Sequence, residues 1–161
     1  MNQITDKIWL GDLQDAQNIS VLQAANIKAV LSLLENLESY FSSLIQIAYQ
    51  KAQIQHTLVS MIDGGNNQDD AFRQAFAVLE GFQDQGLNTL VHCGAGVSRS
   101  PSVVIGWLMK HAKLTWDEAL NEVGHKRPVI FPNPALKRTV LKVLGAWPYG
   151  SLGSPATPLA E

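Results

Sequence analysis

The run His92-Cys93-Gly94-Ala95-Gly96-Val97-Ser98-Arg99-Ser100 brings a thiol, a guanidinium and hydroxyls together at the point where an apolar strand gives way to an apolar helix. Successive backbone N–H groups in such a turn converge on one point, and the helix N-terminus adds its partial positive charge. The loop from Gly94 through Ala95, Gly96, Val97 and Ser98 is therefore a socket for a tetrahedral oxyanion. Gly94 and Gly96 remove the Cβ atoms that would obstruct close approach or positive φ. Arg99 adds a planar, permanently charged fork that holds two oxygens of a phosphate. The same positive environment favours thiolate over thiol at Cys93, which makes it a nucleophile. In-line attack on phosphorus gives a thiophosphoryl enzyme and splits hydrolysis into two easier steps. Ser100 is placed to stabilise the departing thiolate in the second step, and His92 to orient the loop through its ring nitrogens rather than to act as a base.

That chemistry also needs an acid for the leaving oxygen and, later, a base for water. It calls for no metal and no cofactor. Asp63 is the first choice: it opens the glycine-bearing segment Asp63-Gly64-Gly65-Asn66-Asn67, at the other loop expected on the active face. Asp69 and Asp70 compete for the role, but at the head of an amphipathic helix such residues usually cap. A lone Cys is ordinarily a small buried core residue. For this composition, however, His before, Gly three after, Arg six after and Ser seven after one position coincide by chance on the order of a few times in a million. His56, His111 and His125 have no Cys, Asp or Glu at ligand spacing and read as core or surface residues. Trp9, Trp107 and Trp116 read as core or core margin.

The elements that must carry these residues alternate. Ile4 to Leu10 reads as a strand, and Asn18 or Ser20 caps a helix through Val21, Leu22 and Ala25. Lys28 to Leu33 is an almost continuous apolar run, suited to a strand covered on both faces. Glu35 to Gln53 fits either a short helix or a long surface loop. Ile54 to Met61 reads as a strand. Asp69 or Asp70 then caps a helix bearing Phe72, Ala75, Phe76, Leu79 and Phe82, which Gly86 stops. Thr89 to Cys93 is a short strand, and a helix follows from about Pro101 to His111. Thr115 with Glu118 forms a capping box for another helix. A proline-pinned loop from Lys126 to Pro134 precedes a last helix, Ala135 to Leu144. This pattern predicts a three-layer α/β domain, with a central, mostly parallel sheet flanked by helices and ligands bound beyond the carboxyl ends of the strands. It covers residues 1–145. Residues 146–161 are dominated by Pro, Gly and Ser and are expected to form a flexible tail.

The chain's 161 residues fit one domain with a sizeable core. Twelve Lys and Arg against fourteen Asp and Glu give a net charge of −2, and no basic run suggests a nucleic-acid or membrane footprint. The longest apolar run within the domain, Val103 to Met109, is far short of the roughly 20 residues that span a bilayer. The opening Met-Asn-Gln-Ile-Thr-Asp-Lys lacks the marks of a secretory signal, and the single Cys cannot form an intramolecular disulfide. A cytoplasmic setting and a monomer are expected, with neither nucleic acid nor membrane as a partner.

With these residues in place the chain resembles the compact, atypical dual-specificity phosphatases of the cysteine-dependent protein tyrosine phosphatase superfamily. His92-Cys93 through Arg99-Ser100 looks like the family's H-C-x5-R-S/T loop. Ile8-Trp9-Leu10-Gly11 resembles its opening strand and turn, Asp63 falls at the general-acid spacing, and Arg127-Pro128 with Pro132-Asn133 looks like its late loop. The resemblance implies a protein tyrosine phosphatase-like fold. It makes Cys93 the nucleophile, Arg99 the phosphate clamp, Asp63 the acid and base, Ser100 the aid to breakdown of the thioenzyme and Asn133 a support for the phosphate loop. The activity it implies is hydrolysis of phosphotyrosine and of phosphoserine or phosphothreonine in phosphorylated protein substrates. Two other functions compete: hydrolysis of a lipid, sugar or RNA 5′-end phosphate, which the absence of Lys and Arg from positions 94–98 disfavours, and non-catalytic binding of phosphoresidues.

Overall fold

The structure is a computed structural model that describes residues 1–35 and 40–145, with residues 40–44 described by their backbone alone. The strands are β1 (Asn2–Thr5), β2 (Ile8–Gly11), β3 (Ala29–Leu34), β4 (Gln55–Ser60) and β5 (Thr89–His92). They form one sheet in the order β1-β2-β5-β3-β4. Among the described residues only the β1–β2 pair is antiparallel; β2, β5, β3 and β4 run parallel. Each parallel connection needs a crossover, and the crossover helices together with those that follow β5 supply the outer layers. On one side lie α1 (Leu13–Gln17), α2 (Ile19–Ala24) and α3 (Tyr40–Lys51). On the other lie α4 (Asp69–Asp84), α5 (Arg99–Ala112), α6 (Trp116–Lys126) and α7 (Pro134–Leu144).

The two sides have separate cores. Alternate residues of β3 point to opposite faces, so Leu31 and Leu33 pack against Phe72, Phe76, Val103 and Leu136, whereas Val30 and Leu34 pack against Leu22, Ile45 and Tyr49. All six residues of β3 and all four of β5 are buried, and burial on both faces is why β3 reads as a near-continuous apolar run. The five apolar positions read on α4 are all buried, at the spacing of one helical face. α6 starts with the expected capping box: Thr115 N donates to Glu118 Oε1 at 2.9 Å, and Glu118 N to Thr115 Oγ1 at 3.1 Å.

Several elements depart from the sequence reading. The single strand expected over Ile4 to Leu10 is a hairpin: the chain turns at Asp6-Lys7, where Lys7 N donates to Thr5 Oγ1 at 3.2 Å, and β1 folds back on β2. α1 was not expected. A capping box between Asp12 and Asp15 nucleates it, with bonds of 2.8 and 2.9 Å. For α2, Asn18 rather than Ser20 is the cap, its Oδ1 accepting from Val21 N at 3.3 Å. In the undecided stretch, residues 40–51 are helical, burying Ile45 and Tyr49 one turn apart on the sheet. Neither Asp69 nor Asp70 caps α4. Gln68 occupies the cap position, and its side chain is committed to Ile62 and Gly65 instead. Both aspartates lie within the first turn, where they favour the helix dipole. α5 starts at Arg99, ahead of the expected Pro101, which its missing N–H permits near a helix start. The tail expected over residues 146–161 lies outside the described residues.

Candidate active site

β5 ends at His92, and the chain from Cys93 to Ser98 turns directly into α5. Five consecutive carbonyls along this turn accept hydrogen bonds from its surroundings. Cys93 O faces His92 Nδ1 at 3.0 Å, and Gly94 O accepts from Leu13 N at 2.9 Å. Ala95 O accepts from Arg127 Nη2 at 3.5 Å, Gly96 O from Arg127 Nε at 2.9 Å, and Val97 O from Phe131 N at 2.7 Å. In a trans peptide the C=O and the following N–H point in opposite directions. Engaging these carbonyls with the loop's outer neighbours therefore turns the N–H groups of residues 94–98 toward the inside of the turn, the arrangement an anion requires. Gly96 sits at φ +69°, and a Cβ there would meet Gly11 O at 2.6 Å. Gly94 does not need positive φ; its carbonyl anchors the loop to α1.

Cys93, Ala95, Val97, Ser98 and Arg99 line a cavity of about 380 Å³ together with Asp63, Phe131, Asn133 and Pro134. Cys93 is 2% exposed. Its Sγ lies 3.2 Å from Ser100 Oγ and accepts from Ser100 N at 3.5 Å, so hydroxyl and amide of the first helical turn both reach the sulfur. Arg99 is buried, with Nη1 donating to Met61 O at 3.3 Å and lying 4.0 Å from Glu35 Oε2. These acceptors compensate a buried guanidinium and hold its fork at the cavity wall.

Asp63 lines the same cavity as the Cys93 loop, and Ser98 Oγ donates to its Oδ1 at 2.7 Å. The same hydroxyl accepts from Asn133 N at 2.9 Å. Ser98 thus joins the 62–68 loop, the Cys93 loop and the 127–133 loop through its side chain, a role not visible in the sequence. The side chain of Asn133 caps α7, its Oδ1 accepting from Ala135 N at 2.9 Å, while its backbone N–H serves Ser98. Asp69 and Asp70 are elsewhere. Asp69 pairs with Lys142 at 3.0 Å beside a separate cavity, and Asp70, fully exposed, pairs with Arg73 at 3.2 Å.

Arg127 is the other residue the chemical reading missed. It is 8% exposed, and besides its bonds to Ala95 and Gly96 it donates to Asn2 Oδ1 at 2.7 Å. The available signal was a charged residue directly before a proline-pinned loop. His92 is fully buried and its pKa is pushed down to about 4, chiefly by burial, so its ring is neutral. A larger groove of about 530 Å³ adjoins the site through Phe131 and Pro134, and no Cys, Ser or Thr lines it. Among the described residues no group of three or more His, Cys, Asp or Glu could hold a metal ion, and no helix is long and apolar enough to cross a membrane.

Residues 8–144 match the family described as dual specificity phosphatase, catalytic domain, and the chain belongs to that family. It is 32% identical over 144 residues to MAP kinase phosphatase with leucine-rich repeats protein 3 of Dictyostelium discoideum, covering 88% of this chain and 16% of that protein. It is 28% identical over 131 residues to human dual specificity protein phosphatase 2, covering 81% of this chain and 39% of the relative. The chain thus spans well under two thirds of the length of these relatives. Among solved structures it resembles human tyrosine phosphatase-like serine/threonine/tyrosine-interacting protein, with a TM-score of 0.78, 25% identity, and coverage of 88% of this chain and 93% of that one. A leucine rich repeat and phosphatase domain containing protein from Entamoeba histolytica shares the fold at a TM-score of 0.70 and 21% identity, with 88% of each chain covered.

Proposed function

We propose that this domain is a cysteine-dependent protein phosphatase that hydrolyses phosphotyrosine and phosphoserine or phosphothreonine in phosphorylated proteins, working as a monomer in the cytoplasm. The observation that carries the reading is one cavity lined by Cys93, Arg99 and Asp63, walled by a loop whose carbonyls are held outward. Phosphate oxygens bind the loop amides and the Arg99 fork. The Cys93 thiolate attacks phosphorus in line. The S–P bond forms as the P–O bond to the substrate breaks, and Asp63 gives its proton to the leaving oxygen. Asp63, now a carboxylate, takes a proton from water as that water attacks phosphorus. The S–P bond then breaks, and Ser100 donates its hydroxyl proton to the returning thiolate as a hydrogen bond.

The test is hydrolysis of para-nitrophenyl phosphate, a phosphotyrosine peptide and a phosphothreonine peptide by wild type and Cys93→Ser, with a chelator present. Release from all three that survives chelation and disappears in Cys93→Ser is expected. Turnover confined to the aryl ester moves the substrate to a small phosphomonoester. Phosphate binding without turnover in wild type makes the domain a phosphoresidue-binding module, and substantial turnover by Cys93→Ser removes the covalent step.

A further inference from the structure

Behind the Cys93 loop, on the face of the sheet covered by α3, three polar side chains from adjacent parallel strands form a chain in which Ser32 touches both histidines. Ser32 on β3 lies directly opposite His92 on β5, and both are fully buried. Ser32 Oγ is 2.6 Å from His92 Nε2 and 2.8 Å from His56 Nε2 on β4. The catalytic chemistry uses neither Ser32 nor His56. An interior of this kind tolerates polar groups only when donors and acceptors match, and here the matching has a single solution. Cys93 O can only accept, so the proton of the neutral His92 ring is on Nδ1. His92 Nε2 is then a bare acceptor, and Ser32 must give it its single hydroxyl proton. Ser32 Oγ is thereby left to accept, so His56 Nε2 carries a proton. The chain runs one way, from His56 through Ser32 and His92 to the Cys93 carbonyl.

We infer that Ser32 and His56 are positioning residues, which select the His92 tautomer and so hold the Cys93 carbonyl turned out of the phosphate socket. The inference rests on the proposed role of Cys93 as nucleophile. In the opposite tautomer His92 would present a bare Nδ1 to Cys93 O at 3.0 Å, lone pair against lone pair. The peptide joining Cys93 to Gly94 would then lose its restraint and its N–H its aim. The charged and titratable groups acting on His92 are His56 from β4, Asp15 from α1 and Arg99 from α5. Asp15 favours the imidazolium, whereas Arg99 and a protonated His56 oppose it. Tyr49 from α3 stands edge-on to the His56 ring at a centroid separation of 5.1 Å. Burial pushes the pKa of His56 down to about 4, which keeps the donor chain neutral around pH 6–8.

Three measurements test this. The imidazole ¹⁵N shifts of His92 in the wild type should show a protonated Nδ1 and a bare Nε2 between pH 6 and 8; a proton on Nε2 overturns the inference without any variant. Alkylation of Cys93 by iodoacetate at pH 6 should be slower by roughly tenfold in Ser32→Ala, the scale of one hydrogen bond, and by roughly twofold in His56→Leu, where Ser32 still has His92 to donate to. Ser32→Thr, which restores the hydroxyl, should recover most of the rate. Wild-type alkylation and an unchanged His92 tautomer in folded Ser32→Ala refute the positioning role. If Ser32→Ala does not fold, the wild-type tautomer and the His56→Leu rate decide. None of these readouts uses phosphatase turnover. A wild type that does not hydrolyse phosphoesters would refute the proposed function while leaving the tautomer and alkylation results to judge this inference.

Discussion

Two neutral histidines inside the fold make stability depend on pH in a defined window. The perturbation is a change from about pH 7 to pH 4.5. In the folded state the pKa values of His92 and His56 are each about 4, below the ordinary 6.5 they regain on unfolding. A depressed histidine pKa means that the unfolded chain binds more protons, so stability rises with pH across this interval. The contribution is fully present above pH 6.5 and is lost as the pH falls through 6.5 toward 4. One pH unit corresponds to 1.36 kcal/mol, so the fully buried His92 alone costs about 2–3 kcal/mol by pH 4.5. His56, only partly buried, acts in the same direction with a smaller share. Asp15 is held below the usual carboxylate range: burial raises its pKa, but the Asp12 backbone N–H and the terminal ammonium outweigh that. Its protonation therefore belongs to pH values under 3.8, outside the window. Urea unfolding followed by tryptophan fluorescence measures the effect. With a slope of about 1–3 kcal/mol per molar urea, the midpoint should fall by about 1–2 M between the two pH values. A midpoint that does not move, or one that moves equally in a folded His92→Gln variant, refutes the reasoning.

Other expectations concern the loops. Asp63→Asn should lower kcat by roughly 100-fold for alkyl phosphates but much less for para-nitrophenyl phosphate, whose leaving group needs little protonation; an equal loss on both substrates argues against the acid role. Gly96→Ala must place a Cβ 2.6 Å from Gly11 O at positive φ, and should lower the unfolding free energy by about 3 kcal/mol or more, as measured by denaturant titration. Arg127→Met leaves the Ala95 and Gly96 carbonyls without their donor and should reduce kcat/KM by roughly 10- to 100-fold. Arg127→Lys should recover only part of that, because an ammonium cannot reproduce the fork.

What the sequence made legible was local. The thiol, the arginine and the glycine turn lie within one short run, and the capping box of α6 spans four residues, so their geometry follows from spacing alone. The amphipathic α4 was legible for the same reason: Phe72, Ala75, Phe76, Leu79 and Phe82 share one helical stripe. The hairpin at Asp6-Lys7 was not, because three polar residues between Ile4 and Ile8 also suit a single edge strand. α1 escaped because its capping box pairs two aspartates in place of the usual Ser or Thr with Glu. Residues 35–53 carry too irregular a scatter of apolar side chains to fix a period. The contacts that complete the site were hidden for a different reason. Ser98 meets Asp63 across 35 residues, Arg127 meets Gly96 across 31 and Ser32 meets His92 across 60, and such pairings depend on strand order and register.

The strand order itself explains why the polar chain can exist. In the order β2-β5-β3-β4 the strand that ends in His92 has a neighbour on each side, and parallel pairing aligns Ser32 with His92 while β4 brings His56 alongside. The polar side chains alternate to the face opposite Leu31 and Leu33, so the larger core stays apolar while the thinner α3 layer covers the hydrogen-bonded chain. In the proposed mechanism the loop binds a dianion, and it gains from amides already aimed before the anion arrives, because no reorganisation is then required during the reaction. Here that aim is fixed from outside the loop: by α1 at Gly94, by Arg127 at Ala95 and Gly96, by Phe131 at Val97, and through His92 by the sheet interior at Cys93. Arg127 and His92 are the anchors that act through their side chains, so a substitution at either should act on the proposed phosphate socket even though that side chain lies outside the cavity.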